Sequence, residues 1–103
     1  MLTGIDDIHL YGDGGEDTKK AQEFLSEHGV DHVYLHYGDP VQHESVFSSI
    51  RTWFPERVGE IEAFPFVVYT EVQDGVKHPA STRRILHGLD EILDSNLPDL
   101  VKL

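Results

Sequence analysis

The stretch "YGDGGEDTKKAQEFL", Tyr11–Leu25, joins the end of an apolar run to the start of a helix. Glu16 and Asp17 stand in the first turn of that helix, where the helix dipole favours negative charge. Strand–glycine loop–helix segments often hold a phosphate, because the free N–H groups of the helix start attract anions. Here the two acids and Asp13 would repel an anion. We therefore interpret the loop as an acidic helix cap, or as a site for a cation or a cationic group of a partner.

Hydrophobic periodicity on either side of this stretch predicts the order of secondary structure. Alternating apolar residues in "IDDIHLY" and "VDHVYLHYG" indicate one strand before the helix and one after it. A second helix begins at Asp39 and Pro40, a cap and a first-turn proline, and ends at Pro55. The strands "FPFVVYTEV" and "RRILHG" are joined by "QDG" and a polar stretch around Pro79, and "LDEILDSNL" predicts a last helix closed by Pro98. The predicted order is β-α-β-α-β-β-α.

The apolar faces of the helices predict the core. The inward positions of the first and last helices are Ala21, Phe24, Leu25, His28, Leu89, Ile92 and Leu93. The second helix carries a stripe at helical spacing, made of Val46, Phe47, Ile50, Trp53 and Phe54. We therefore expect Trp53 to be a core residue. The economical packing is a single α/β domain over residues 1–103, with a four-stranded mixed sheet and helices on both faces.

The chain is strongly acidic and has no cysteine. Its 103 residues include 19 acidic against 8 basic side chains, for a formal net charge of −11. Nucleic acid and anionic membrane surfaces are therefore not expected as partners. The lack of cysteine removes disulfides, thiolate metal sites and a cysteine nucleophile. The N-terminal stretch has acids where a signal peptide would have a basic region, and no apolar run approaches the roughly 18 residues of a spanning helix. We expect a cytoplasmic protein.

The seven histidines do not form a metal-binding pattern. His32 and His36 lie on one face of the second strand with Tyr34 between them, so their Cα atoms should be about 13 Å apart. One ion cannot join them directly, and the other histidines have no ligand spacing. Arg83 and Arg84 are interpreted as counter-charges of an acidic chain rather than a recognition patch. We therefore expect no metal site, and no Ser/His/Asp arrangement supports a catalytic residue.

The loop and the helix after it resemble the glutaredoxins, members of the thioredoxin-like fold, and the likeness extends over most of the chain. "KKAQEFLSEHGVD" is similar to the first helix of that family, just after its Cys-x-x-Cys motif. With Ala21 as the anchor, the two cysteines fall at Gly15 and Thr18, so "GEDT" occupies the motif. Gly12 or Asp13 stands where the family often has a lysine. The resemblance implies a thioredoxin-like fold without thiol-disulfide chemistry.

Two later motifs extend the resemblance. "AFPFVVY" is similar to the strand that the family enters through a cis-proline, which implies a cis Phe64–Pro65 bond and a sheet order of 2-1-3-4. "HGLDEIL" is similar to the family's Gly-Gly-x-Asp-Asp/Glu turn, with Gly88, Asp90 and Glu91 matching and His87 replacing the first glycine. The resemblance therefore implies a binding groove between Phe64–Pro65 and this turn, in which an extended peptide can pair with the backbone.

Two functions stay open. One is a redox-inactive binding or adaptor domain, and the other is a transferase-like enzyme in which the hydroxyl of Thr18 or Tyr11 activates the thiol of bound glutathione. The resemblance implies glutathione as a ligand, with Asp90 receiving its ammonium group, but the lysine for its carboxylate is missing and the floor of the groove is acidic. We prefer the first function. It predicts no cofactor and no catalytic residue. It also predicts a basic peptide or a divalent cation, bound where the Asp13–Asp17 loop meets Phe64–Pro65 and Gly88–Glu91.

Overall fold

Five strands and four α-helices make up the residues that the computed structural model describes, 2–57, 63–77 and 83–102. They are β1 Leu2–Gly12, α1 Glu16–Glu27, β2 Val33–His36, α2 Pro40–Trp53, a short 3₁₀ helix Pro55–Arg57, β3 Phe66–Gln73, β4 Val76–Lys77, β5 Arg83–His87, α3 Leu89–Leu93 and α4 Leu97–Leu100. The prediction of an α/β structure is confirmed. The polar stretch predicted around Pro79 lies outside the described residues.

The strands form one mixed sheet, as predicted. Strand β1 pairs in parallel with β2 and antiparallel with β3, with Tyr11 opposite Phe66. Strands β4 and β5 both pair antiparallel with β3, so the sheet runs β2-β1-β3 with these two strands on its far side. Sequence reasoning missed β4. It follows a two-residue turn in which Asp74 and Gly75 both have positive φ, 52° and 77°, the conformation of a type I′ hairpin.

The ends of the first two helices agree with their sequence signals. The Asp39 side chain accepts a hydrogen bond from the Val41 N–H (3.0 Å), and Pro40 is the first residue of α2. Gly29, just after α1, has a positive φ of 67°, which glycine adopts without strain. The signal for the end of the last predicted helix was misread. Pro98 lies in the first turn of α4 and does not close α3, which ends at Leu93.

Buried side chains form two clusters. One contains Ile8, Leu10, Ala21, Leu25, Val30, Val67, Tyr69, Ile92, Leu97 and Leu100. The other contains Tyr11, Phe47, Ile50, Phe54, Phe66, Val68 and Ile85. Neighbouring residues of β3 thus alternate between the clusters, as expected for a strand whose side chains point alternately to opposite sides. Among the residues described, no helix combines the length and apolar character needed to cross a bilayer.

Trp53, Leu93 and His28 are not core residues, contrary to the prediction. Trp53 is 46% exposed and Leu93 is 43% exposed. In α2 the buried positions are Phe47 and Ile50, and the buried Phe54 follows directly after the helix. At about 100° per residue, Trp53 is roughly a quarter turn from the centre of that stripe. Its ring instead lies under the guanidinium of Arg83, whose central carbon is 4.4 Å from the ring centre.

Candidate functional site

The three chain segments that are predicted to form the groove lie at the same end of the sheet, where β1 ends and β3 begins. Tyr11 pairs with Phe66, so the loop that follows β1 lies beside the residues that precede β3. The Phe64–Pro65 bond is cis, as predicted. The Gly88 N–H donates to the carbonyl oxygen of Pro65 (2.9 Å), which fixes the start of α3 against the cis-proline. We call residues 13–17, 64–65 and 88–91 the acidic face.

The loop of the acidic face is folded around the Asp13 carboxylate. Its Oδ1 accepts hydrogen bonds from the Gly15 N–H (3.0 Å) and from the Thr18 hydroxyl (3.1 Å). A Cβ at Gly12 would collide with the Thr18 side chain, so only glycine allows this close approach. The Gly15 N–H is the main cause that holds the pKa of Asp13 below its usual value, and the Thr18 hydroxyl and the His43 charge act in the same direction against partial desolvation. Asp13 is therefore engaged within the loop.

Removing this carboxylate should destabilise the protein in a pH-dependent way. Asp13→Ala loses both acceptor bonds, and we expect a cost of about 1 kcal/mol in the free energy of unfolding, as for a lost helix cap. Asp13→Asn keeps an acceptor but loses the charge. Because the folded-state pKa of Asp13 is lowered, its charge contributes stability above the unfolded pKa of about 3.9 and loses it as the pH falls through the folded value. Urea titrations should show the difference between wild type and Asp13→Asn shrinking below about pH 4. A difference that did not change with pH would contradict this assignment.

The other acids of the acidic face differ in how they are engaged. The Glu91 carboxylate accepts from the His87 N–H (3.2 Å), and Glu16 forms an exposed ion pair with Lys20 (3.7 Å). Asp17 and Asp90 are exposed, in the first turns of α1 and α3. These two carboxylates, which come from different segments, are the ones best placed to meet a ligand from solvent.

Phe64 joins this face to a stack of aromatic rings. Its ring is nearly parallel to those of Tyr37 (5.8 Å between centres) and Phe66 (5.5 Å), and Phe66 stacks in turn on Tyr11 (4.7 Å). His43 meets Phe64 edge-on at 4.9 Å, and its Nε2–H donates to the Tyr37 carbonyl (2.6 Å). Sequence reasoning missed Tyr37 and His43, because no local pattern links the loop after β2 and helix α2 to the cis-proline.

Neither hydroxyl suggested for glutathione activation is suited to that role. Thr18 is 1% exposed and its hydroxyl already donates to Asp13. Tyr11 is buried, and burial is the main cause that raises the pKa of its phenol, with the neighbouring Tyr37 adding to it and Arg83 opposing it. A phenol with a raised pKa is a poorer proton acceptor at neutral pH. This geometry weighs against the transferase-like alternative.

His32, just before β2, and His36, within it, form hydrogen bonds with residues nearby in the chain. The Nδ1–H of His32 donates to the Val30 carbonyl (2.9 Å), and Nδ1 of His36 shares a hydrogen bond with the Tyr34 hydroxyl (2.8 Å). His32 precedes β2 rather than lying in it. Within residues 2–57, 63–77 and 83–102, no three histidine or acidic side chains lie close enough together to hold a metal ion.

The acidic face offers carboxylates, an aromatic ring and backbone groups, but no thiol. Asp17 and Asp90 supply negative charge, and the half-buried Phe64 supplies an apolar contact next to the cis-proline. No protein-family model, curated protein or solved structure gives a significant match to this chain. The chemistry of the acidic face suits a cationic group with an apolar neighbour.

Proposed function

We propose that this chain is a redox-inactive glutaredoxin-like domain that binds a basic segment of another protein at its acidic face. The thioredoxin-like fold is supported by the parallel β1–β2 pair, the antiparallel β3 and β5, and the cis-proline at the entrance to β3. The glycine that begins α3 and bonds to that proline is a further feature of the resemblance.

The arrangement of the helices supports the same fold. Val67 of β3 packs in one cluster with Leu25 of α1, whereas Phe66 packs in the other with Phe47 of α2. Because successive side chains of a strand point to opposite faces of a sheet, we infer that α1 and α2 lie on opposite faces. Helices on both faces of the sheet are what the glutaredoxin resemblance implies.

The observation that carries the proposal is that Asp17 and Asp90 are exposed in two segments that converge near the cis-proline and the half-buried Phe64. The acid-lined groove has no lysine in the position that the resemblance assigns to glutathione's carboxylate, and glutathione brings two carboxylates. A basic peptide with an aromatic side chain brings positive charge to both acids and a ring to Phe64. The resemblance also implies that an extended peptide can pair with the backbone beside the proline.

An NMR titration with three ligands tests where and what the protein binds. The blocked peptide Arg-Phe-Arg-Phe should shift the amide signals of Asp17, Phe64, Gly88 and Asp90, and the shifts should weaken as salt rises, since exposed charges are screened over about 8–10 Å. The acidic peptide Glu-Phe-Glu-Phe and glutathione should leave these signals in place. A response to glutathione instead of the basic peptide would favour the transferase-like alternative.

Restoring the cysteines should not restore a reactive thiol. In the variant Gly15→Cys/Thr18→Cys, the new Cβ at position 15 would lie 3.1 Å from Oδ1 of Asp13, so the thiolate would form next to a carboxylate. We expect the thiol at position 15 to have a pKa at or above the free value of about 8.5, because like charges disfavour the charged form. The pH dependence of thiolate ultraviolet absorbance measures it, and adding Asp13→Asn should lower it. A thiol pKa well below the free value would show that the helix dipole outweighs the acids.

A further inference from the structure

A cavity of about 550 Å³ lies beside α2. Its apolar walls are formed by Tyr11, Tyr37, Val41, Val46, Ile50 and Trp53. The described residues that line it do not include any residue of the acidic face. Two of its walls are large apolar side chains that solvent reaches, since Val41 is 85% exposed and Trp53 is 46% exposed. The volume is in the range of small-molecule sites, about 300–1,000 Å³.

A smaller cavity of about 160 Å³ adjoins it and contains charged and polar side chains. The two cavities share Tyr11 and Trp53 as walls, and the smaller one is also lined by Asp7, His9, Val68, Thr70 and Arg83. The Arg83 guanidinium lies over the ring of Trp53, one of the two side chains that line both cavities. The ring of Trp53 therefore contacts a cation and also lines the apolar cavity.

We propose that this double cavity binds a small organic acid, with its apolar body beside α2 and its carboxylate at Arg83. Arginine donates to a carboxylate through a planar fork of N–H groups, and the Trp53 ring below it holds that fork in place. Thr70 and His9 supply further polar groups in the smaller cavity. The site is separate from the acidic face and has the opposite charge preference.

The charges around the smaller cavity favour a carboxylate over an amine at the junction. Asp7 and Arg83 both line the smaller cavity and neither lines the larger one, but of the two only Arg83 contacts Trp53, which lines both. The neighbouring Arg84 forms an ion pair with Glu71 (2.9 Å). The net charge of −11 opposes an anion at a distance, and this repulsion is screened over about 8–10 Å at physiological ionic strength.

Three probes of equal chain length test the proposal: octanoate, octanol and octylamine. Trp53 is the only tryptophan, so its fluorescence reports on the wall between the cavities. Octanoate should change this fluorescence saturably and more tightly than octanol, and octylamine should bind most weakly. Arg83→Gln should weaken octanoate roughly tenfold or more, the usual effect of losing a charge-assisted hydrogen bond, while leaving octanol unchanged.

Two further variants keep the result decisive. Arg84→Gln is the matched control, since it removes the same charge one residue away, and it should leave octanoate affinity within about twofold. Ser45→Phe should fill the larger cavity from an exposed helix position and weaken both octanoate and octanol. Amide shifts at Ser49 and Val46 provide a readout independent of Trp53. Equal losses of octanoate affinity in the Arg83 and Arg84 variants, or octanoate shifts confined to the acidic face, would overturn the proposal.

Discussion

Phe66→Ala should lower the free energy of unfolding by about 3–5 kcal/mol, the usual cost of removing a fully buried phenylalanine. Phe66 is completely buried, and its ring stacks between Tyr11 and Phe64 at 4.7 and 5.5 Å. Its truncation would leave a cavity and remove the ring contacts that support Phe64 at the cis-proline. A small domain has a total stability of only about 5–15 kcal/mol, so this single change is a large fraction of it.

Trp53→Ala is the matched comparison, because tryptophan is the larger side chain but is 46% exposed. We expect a cost of about 1–2 kcal/mol, from partial burial and the lost contact with Arg83. Urea unfolding measures both variants, and unchanged m values would show that the unfolded states remain comparable. If Phe66→Ala does not fold, the milder variant Phe66→Leu should still fold. It should lose more stability than an equivalent change at an exposed position. Equal costs for the Phe66 and Trp53 variants would contradict the burial described for these two residues.

The second helix shows what hydrophobic periodicity predicts and what it does not. The spacing of Phe47, Ile50 and Phe54 marked the buried stripe of α2, and all three are buried. The same spacing placed Trp53 in the stripe, but Trp53 is exposed and contacts Arg83, a residue of a distant strand that the spacing within α2 does not reveal. Likewise, Pro98 marks a helix boundary in sequence, but only the turn after α3 decides that it begins a helix.

Short sequence motifs also predicted part of the site. The cap at Asp39 and the cis bond at Pro65 were expected from short motifs, and both are present. The edge-on contact of His43 with Phe64 was not expected, because it joins segments that are distant in sequence. The internal hydrogen bonds of Asp13 were missed for a different reason. The sequence does not show which acid of the loop receives hydrogen bonds, because this depends on the positions of the donors, Gly15 and Thr18.

The second large effect concerns binding at the acidic face. Asp17→Lys/Asp90→Lys should weaken the peptide Arg-Phe-Arg-Phe by about 2 kcal/mol or more, roughly 30-fold, since two exposed attractions become two repulsions. Glu23→Lys/Glu27→Lys changes the net charge equally but lies further along α1, about 9 Å and about 15 Å from Asp17 along the helix axis at 1.5 Å per residue. Both side chains in this control are exposed. The control should lower affinity only slightly, through the long-range field.

The central claim is that the acidic face, and not the net charge of the chain, selects a basic partner. The most direct measurement is an isothermal titration of Arg-Phe-Arg-Phe into wild type and both double variants at one physiological salt concentration, with amide spectra to show that each variant is folded. The account predicts near wild-type affinity for Glu23→Lys/Glu27→Lys and a roughly 30-fold loss for Asp17→Lys/Asp90→Lys. Equal losses in the two variants, or no loss in either, would contradict it.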